Sequence, residues 1–258
     1  HSESSHSSSG YNKRILRIRL GVRTIWFYGW HIAGYEGNFM PLRRESPYVW
    51  VTWISKILAG EDSCEWASWF RANHENSSYK RIPSGFDSAT WQIKHTELLR
   101  QTRREYESKG YKVFTQNQNM IRLQGRTSIL SGIPDLVAVV DETGIVIDVK
   151  TGQPLTSHVI QVLIYMYALS RTRGKLKGLN LEGRVVYPDH EITVPLDSVG
   201  KQFISSLGNL MLRLADNKPA IRVPSERECG FCHITAEDCP DRVDSSESSS
   251  DSVITEDF

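Results

Sequence analysis

The stretch that decides the fold is Ser131–Tyr165, SGIPDLVAVVDETGIVIDVKTGQPLTSHVIQVLIY. Leu136 to Val140 and Ile145 to Val149 are β-branched or aliphatic runs of strand length, and Asp141-Glu142-Thr143-Gly144 between them is turn chemistry ending in glycine. This is the pattern of a hairpin buried on both faces. Asp135 stands where the first strand begins. Asp148 and Lys150 stand at the end of the second, two residues apart, so their side chains leave the pleat on the same face. A hairpin of this length brings Asp135 near Asp148. Two carboxylates at one edge of a buried sheet repel each other unless a cation lies between them, which points to Mg²⁺ or Mn²⁺. Lys150 then faces whatever the ion binds, and its compact charge suits an attacking water or a developing oxyanion.

Working outward, Thr156 or Ser157 is expected to cap a helix reaching about Ser170. That helix is apolar nearly all round, so Gln161 and Tyr165, four apart on one face, are polar groups in an apolar place and need partners. Upstream, a helix is expected from about Ala89 to Lys109, closed by Gly110. Trp91, His95, Leu98, Thr102 and Tyr106 recur along its inward stripe, with Glu97 off it. His95 is therefore the better candidate ligand and Glu97 the substitute.

Gly132-Ile133-Pro134-Asp135, then Asp148-Val149-Lys150, then Gln161 and Tyr165 at QxxxY spacing, resemble the PD-(D/E)XK nuclease superfamily, and within it the RecB-like exonuclease branch. The resemblance covers roughly Val49 to Pro240. It implies an α/β fold of the restriction-endonuclease kind, with a central mixed sheet flanked by helices. It implies that Asp135 and Asp148 hold Mg²⁺ or Mn²⁺ with the Val149 carbonyl and with His95, which precedes the hairpin where that branch carries a metal-contacting histidine. Lys150 would position the attacking water, and Gln161 and Tyr165 would orient the lysine or the substrate strand. The implied activity is hydrolysis of DNA phosphodiesters, expected to be exonucleolytic on single strands or free ends.

Cys229-Gly230-Phe231-Cys232 followed by Cys239-Pro240 is a compact chelating loop, one ligand short of a tetrahedral site, and Cys64 is the remaining cysteine. Spacing alone allows zinc, with His233 or His74 as fourth ligand. The RecB-like resemblance, which extends to CRISPR-associated exonucleases and AddB-type helicase-nucleases, implies instead a 4Fe-4S cluster on Cys64, Cys229, Cys232 and Cys239. Such a cluster would join the N- and C-terminal parts of the domain.

The 258 residues hold 31 Lys and Arg against 30 Asp and Glu. Setting aside the one basic and seven acidic residues of the termini leaves 30 against 23 in residues 11–240, a moderately basic body suited to a phosphate backbone. No run is long and apolar enough to span a bilayer, and the cysteine usage fits a reducing cytoplasm. Residues 1–10 are expected to be a disordered leader or tag. Residues 11–48 form a basic strand region that could dock a protein partner, with strands at Tyr11 to Leu20 and Thr24 to Tyr28. Residues 49–240 are the nuclease domain, and 241–258 an acidic disordered tail. All seven tryptophans precede residue 92; Trp50, Trp53, Ile54, Ile57 and Leu58 mark one amphipathic helix ending at Ala59-Gly60, and Trp66, Trp69 and Phe70 mark the next. Lys112 to Thr115 and Met120 to Leu123 read as strands leading to the hairpin. Val185 to Tyr187 and Ile192 to Leu196 read as a second hairpin, and Asp197 as the cap of a last helix reaching about Asn217. The rival functions are a non-catalytic DNA-binding or assembly subunit that keeps the fold, and a zinc-stapled interaction domain.

Overall fold

The structure is a computed structural model that describes residues 40–83, 87–172 and 176–243. The chain divides into two units after Asn38, and every described residue belongs to the second. The expected leader, the strands at Tyr11 to Leu20 and Thr24 to Tyr28, most of the proposed docking region, and the tail beyond Val243 lie outside the described residues.

The hairpin forms as its sequence requires, with β5 (Leu136–Val140) antiparallel to β6 (Thr143–Val149). Its turn is tighter than the four residues expected. Thr143 and Gly144 already belong to β6, and Asp141 takes a positive φ of 51°, a conformation that aspartate tolerates better than most residues. The two faces of the hairpin are covered by different helices. Val137 and Val146 pack with α4 (Thr156–Leu169), while Leu136, Ala138, Ile145, Ile147 and Val149 pack with Leu98 and Tyr106 of α3 (Ser88–Ser108). Period-two alternation thus feeds two cores. Around the hairpin the sheet runs β2 (Lys112–Thr115), β5, β6, β7 (Asn180–Val186), β8 (Glu191–Val194). Within this sheet only β6 and β7 pair in parallel, and α4 is their crossover, which is why that helix is buried on most sides.

The described strands form two sheets rather than one central sheet. β3 (Ile121–Gln124), expected to lead into the hairpin, joins β1 (Tyr48–Trp50) and β4 (Ile129–Gly132) in the order β1-β4-β3. β1 and β4 are too short for alternation to show in the sequence. The chain leaves the smaller sheet at Ile133-Pro134, where proline has no N–H to give to a ladder, and enters the larger one at Leu136. Asp135 is placed by that change of sheet.

α1 (Val51–Leu58) starts one residue past the expected Trp50 and is closed by Ala59 and by Gly60, whose φ is +72°. It is followed by α2 (Glu65–Asn73), with Trp66, Trp69 and Phe70 all buried. α5 (Lys201–Ala215) is not capped by Asp197, which lies in a separate 3-10 turn at Leu196–Ser198; Gly200 takes the cap position. α6 (Glu226–Phe231) is a short helix too brief to be read from periodicity. Trp91, expected on the inward stripe of α3, is 38% exposed, and the buried stripe is His95, Leu98, Thr102 and Tyr106.

One glycine is required by close approach. A Cβ on Gly132 would lie 2.7 Å from Tyr165 Cε1 and 2.9 Å from Val51 Cγ2, where β4, α4 and α1 meet. Gly132→Ala should therefore cost about 1–3 kcal/mol by overpacking. In urea the midpoint should fall with an unchanged slope, and an unmoved midpoint would show that Tyr165 yields freely.

Candidate active site

The register Leu136↔Ile147 places Asp135 directly opposite Asp148, one step beyond the last pair of the hairpin. Both follow the parity of Val137 and Val146, so both emerge on the α4 side at the same sheet end. Gln161 of α4 meets them there. Its Nε2 donates to Asp148 Oδ1 and to the Tyr165 hydroxyl, each at 3.1 Å, and its Oε1 accepts from Lys150 Nζ at 3.1 Å. The polar groups of this apolar helix have found the partners that their burial demands. From the other side of the sheet, His95 of α3 brings Nε2 within 3.4 Å of Asp135 Oδ2, which also accepts from the Val149 backbone N–H at 2.8 Å. His95, Asp135, Asp148, Val149, Lys150, Gln161 and Tyr165 all line one cleft of 880 Å³. Glu97, the substitute ligand, is exposed on the outer face of α3 and does not line it.

The electrostatics follow from burial. Asp148 is 2% exposed, and burial pushes its carboxyl pKa up, with Asp135 pushing the same way and Lys150 opposing. Lys150 Nζ sits 2.6 Å from Asp148 Oδ2, yet that oxygen receives no properly directed hydrogen bond. The contact is an ion pair without the directional part, leaving a buried oxygen under-satisfied. The hydrogen bond with Asp135 holds the His95 pKa above its usual value against the opposing effect of burial. Burial, reinforced by Asp148, raises the Tyr165 phenol so that it stays protonated. Among the described residues no three His, Cys, Asp or Glu side chains form a group that could hold a metal ion as they stand. Two opposed carboxylates, one with an under-satisfied buried oxygen, nevertheless fit a hard divalent ion that keeps several waters and needs only one or two protein carboxylates. Lys150 supplies the neutralising charge in this arrangement.

Several cleft residues escaped the sequence reading. Trp91 stacks on His95 with ring centroids 4.7 Å apart. Thr52 of α1, Gln116 after β2 and His158 on the first turn of α4 also line the cleft. His158 lies three residues before Gln161, on the same helix face, and that spacing was the available signal. The start of α4 is not capped by Thr156 or Ser157. Leu155 occupies the cap position, and the Glu61 carboxylate, from the loop after α1, accepts from the Ser157 N–H at 2.8 Å. A cap supplied from 96 residues away leaves no local trace in the sequence.

The four cysteines are free, and together they line a second cavity of 200 Å³. The Glu228 carboxylate accepts from the backbone N–H groups of Ser63 and Cys64 at 2.9 and 3.0 Å, pinning Cys64 at the start of α2 against α6. Arg71, Arg222, Arg227 and Arg242 line the same cavity. Burial lowers the Arg71 pKa and Cys232 acts against that; burial likewise raises the Cys239 thiol, opposed by Arg222. His74 and His233, the alternative zinc ligands, bond the Phe70 and Ile82 carbonyls and do not line this cavity. Thr52 lines both cavities, so α1 stands between them. No helix among the described residues is long and apolar enough to cross a membrane.

No curated protein matches this chain. The solved structure described as "Crystal structure of SSO0001" is similar at 18% identity, over 73% of this chain and 84% of that one, with a TM-score of 0.39. The sequence profile of the PD-(D/E)XK nuclease superfamily matches residues 58–236.

Proposed function

Because the chain belongs to the PD-(D/E)XK nuclease superfamily, we propose that it is a divalent-metal-dependent deoxyribonuclease of the RecB-like kind, acting on single-stranded DNA or free DNA ends. The observation that carries this reading is the convergence of Asp135, Asp148 and Lys150 at one sheet end, with a buried Asp148 oxygen lacking a directed donor. In this reading Asp135 and Asp148, with the Val149 carbonyl and His95, hold Mg²⁺ or Mn²⁺. When bound, the ion lowers the pKa of a water and neutralises charge on the scissile phosphate. Lys150 then leaves Asp148 for the attacking water or the developing negative charge, and Gln161 Oε1 keeps its ammonium aimed into the cleft. Gln161 and Tyr165 fix the Asp148 carboxylate through a single amide. Purified protein with Mn²⁺ should shorten end-labelled single-stranded DNA, and chelation should stop it. Digestion that persists in excess chelator would refute the reading.

The cysteine cavity belongs to the same proposal. Cys64, Cys229, Cys232 and Cys239 are assigned to a 4Fe-4S cluster. What supports a shared site is that all four cysteines line one cavity. Arg222 opposes the burial that raises the Cys239 thiol, which assists the thiolate form in which cysteine binds metal. The role inferred is structural: the cluster ties α2 to the segment after α5.

A further inference from the structure

His158 lines the cleft beside Lys150, and the proposed chemistry leaves it unused. Its Nδ1 lies 2.8 Å from the Tyr187 hydroxyl. Tyr187 is held rigidly: it is 3% exposed, and its ring stacks on His190 at 4.6 Å with the planes 10° apart. The Tyr187 hydroxyl can donate to Nδ1, which then acts as the acceptor. In that tautomer the imidazole proton is on Nε2, at the opposite edge of the ring. Burial and the nearby Lys150 and Lys56 charges outweigh Glu61 and push the imidazole pKa down to about 4, so the ring is neutral at ordinary pH. Among the described residues no acceptor is bonded to Nε2.

In that tautomer the ring is a neutral N–H donor in the same cleft as the Lys150 cation. A second positive charge there would repel Lys150, whereas a neutral donor adds a contact without doing so. Phosphate oxygens are the usual acceptors for such positioning contacts, because every nucleotide presents them. We propose that His158 is a further substrate-contacting residue, donating through Nε2–H to a phosphate oxygen of the bound strand next to the phosphate that Lys150 faces. This rests on the nuclease reading of the same cleft.

The test is a cycle between protein and substrate variants. A single-stranded oligonucleotide carries one methylphosphonate, moved along the strand, and its binding is measured by fluorescence anisotropy in Ca²⁺. At one position the parent protein should lose about tenfold in affinity, the size expected for a hydrogen bond to a charged oxygen. His158→Phe should bind the unmodified strand about tenfold more weakly and show no further loss at that position. His158→Gln, which keeps an amide N–H, should retain the position-specific loss, and Tyr187→Phe should shrink it. If His158→Phe shows the same position-specific losses as the parent, or His158→Gln binds and responds no differently from His158→Phe, the inference is overturned. A parent protein that neither binds nor cuts the oligonucleotide takes the nuclease reading down as well. One that cuts normally while the cycle shows no coupling overturns the His158 contact alone.

Discussion

Asp148→Ala should abolish Mn²⁺-dependent digestion of single-stranded DNA, lowering kcat/KM by a factor on the order of 10³ or more, while the protein still folds. The size follows from what is removed. Asp148 faces Asp135 across the hairpin end, and its loss removes one of the two carboxylates proposed to hold the ion and leaves Lys150 without its partner. The fold survives because the deleted group is costly as well as useful. A carboxylate 2% exposed carries a desolvation penalty that its imperfect contact with Lys150 offsets only in part. The variant gives up one acceptor for Gln161 and sheds that penalty. Mn²⁺ should raise the melting temperature of the parent, since an ion that binds only the folded chain stabilises it, and should leave the variant's unchanged. Single-turnover digestion of end-labelled DNA is the measurement. Activity within about tenfold of the parent would remove Asp148 from the site.

The second large effect is expected at the other end of α1. Cys64→Ser should bleach the visible absorption of anaerobically purified protein and lower its melting temperature by about 10–20 °C. Cys64 and Cys229 are 165 residues apart (229 less 64). In the chain-entropy treatment, releasing a cross-link around a loop of that length costs about 5 kcal/mol. For a domain of this size each kcal/mol is worth about 2–4 °C. The hydrogen bonds from Ser63 and Cys64 to Glu228 remain and limit the loss. Iron and sulfide analysis, together with thermal melts of both proteins, provides the check. A colourless parent with stoichiometric zinc would replace the cluster with a mononuclear site. A variant as stable as the parent would show that nothing is clamped there.

The parts of this molecule written in the sequence are those whose physics is local. The hairpin was legible because two aliphatic runs flank turn residues, and the meeting of Asp135 with Asp148 follows from strand parity alone. Gln161 and Tyr165 announced themselves as polar residues on an apolar helix, and they do share partners with the hairpin. What stayed hidden depends on distant chain. Strands of three and four residues, β1 and β4, are too short to show alternation, so the second sheet was invisible. The cap of α4 comes from Glu61, and local sequence pointed instead to Thr156 and Ser157. Trp91 has helical spacing with the buried stripe but stands one turn too early and is 38% exposed, and its ring covers His95. The Nδ1 partner of His158 is a tyrosine 29 residues away.

Eight residues of helix α1, with Thr52 exposed to both chambers and Glu61 just beyond its end holding the first turn of α4, form a common partition. A partition that two rooms share cannot be weakened from one side only. Oxidative loss of the proposed cluster would slacken the same wall that holds the first turn of α4, so the colour and the proposed cutting should fade together during storage, ahead of any collapse of the sheet.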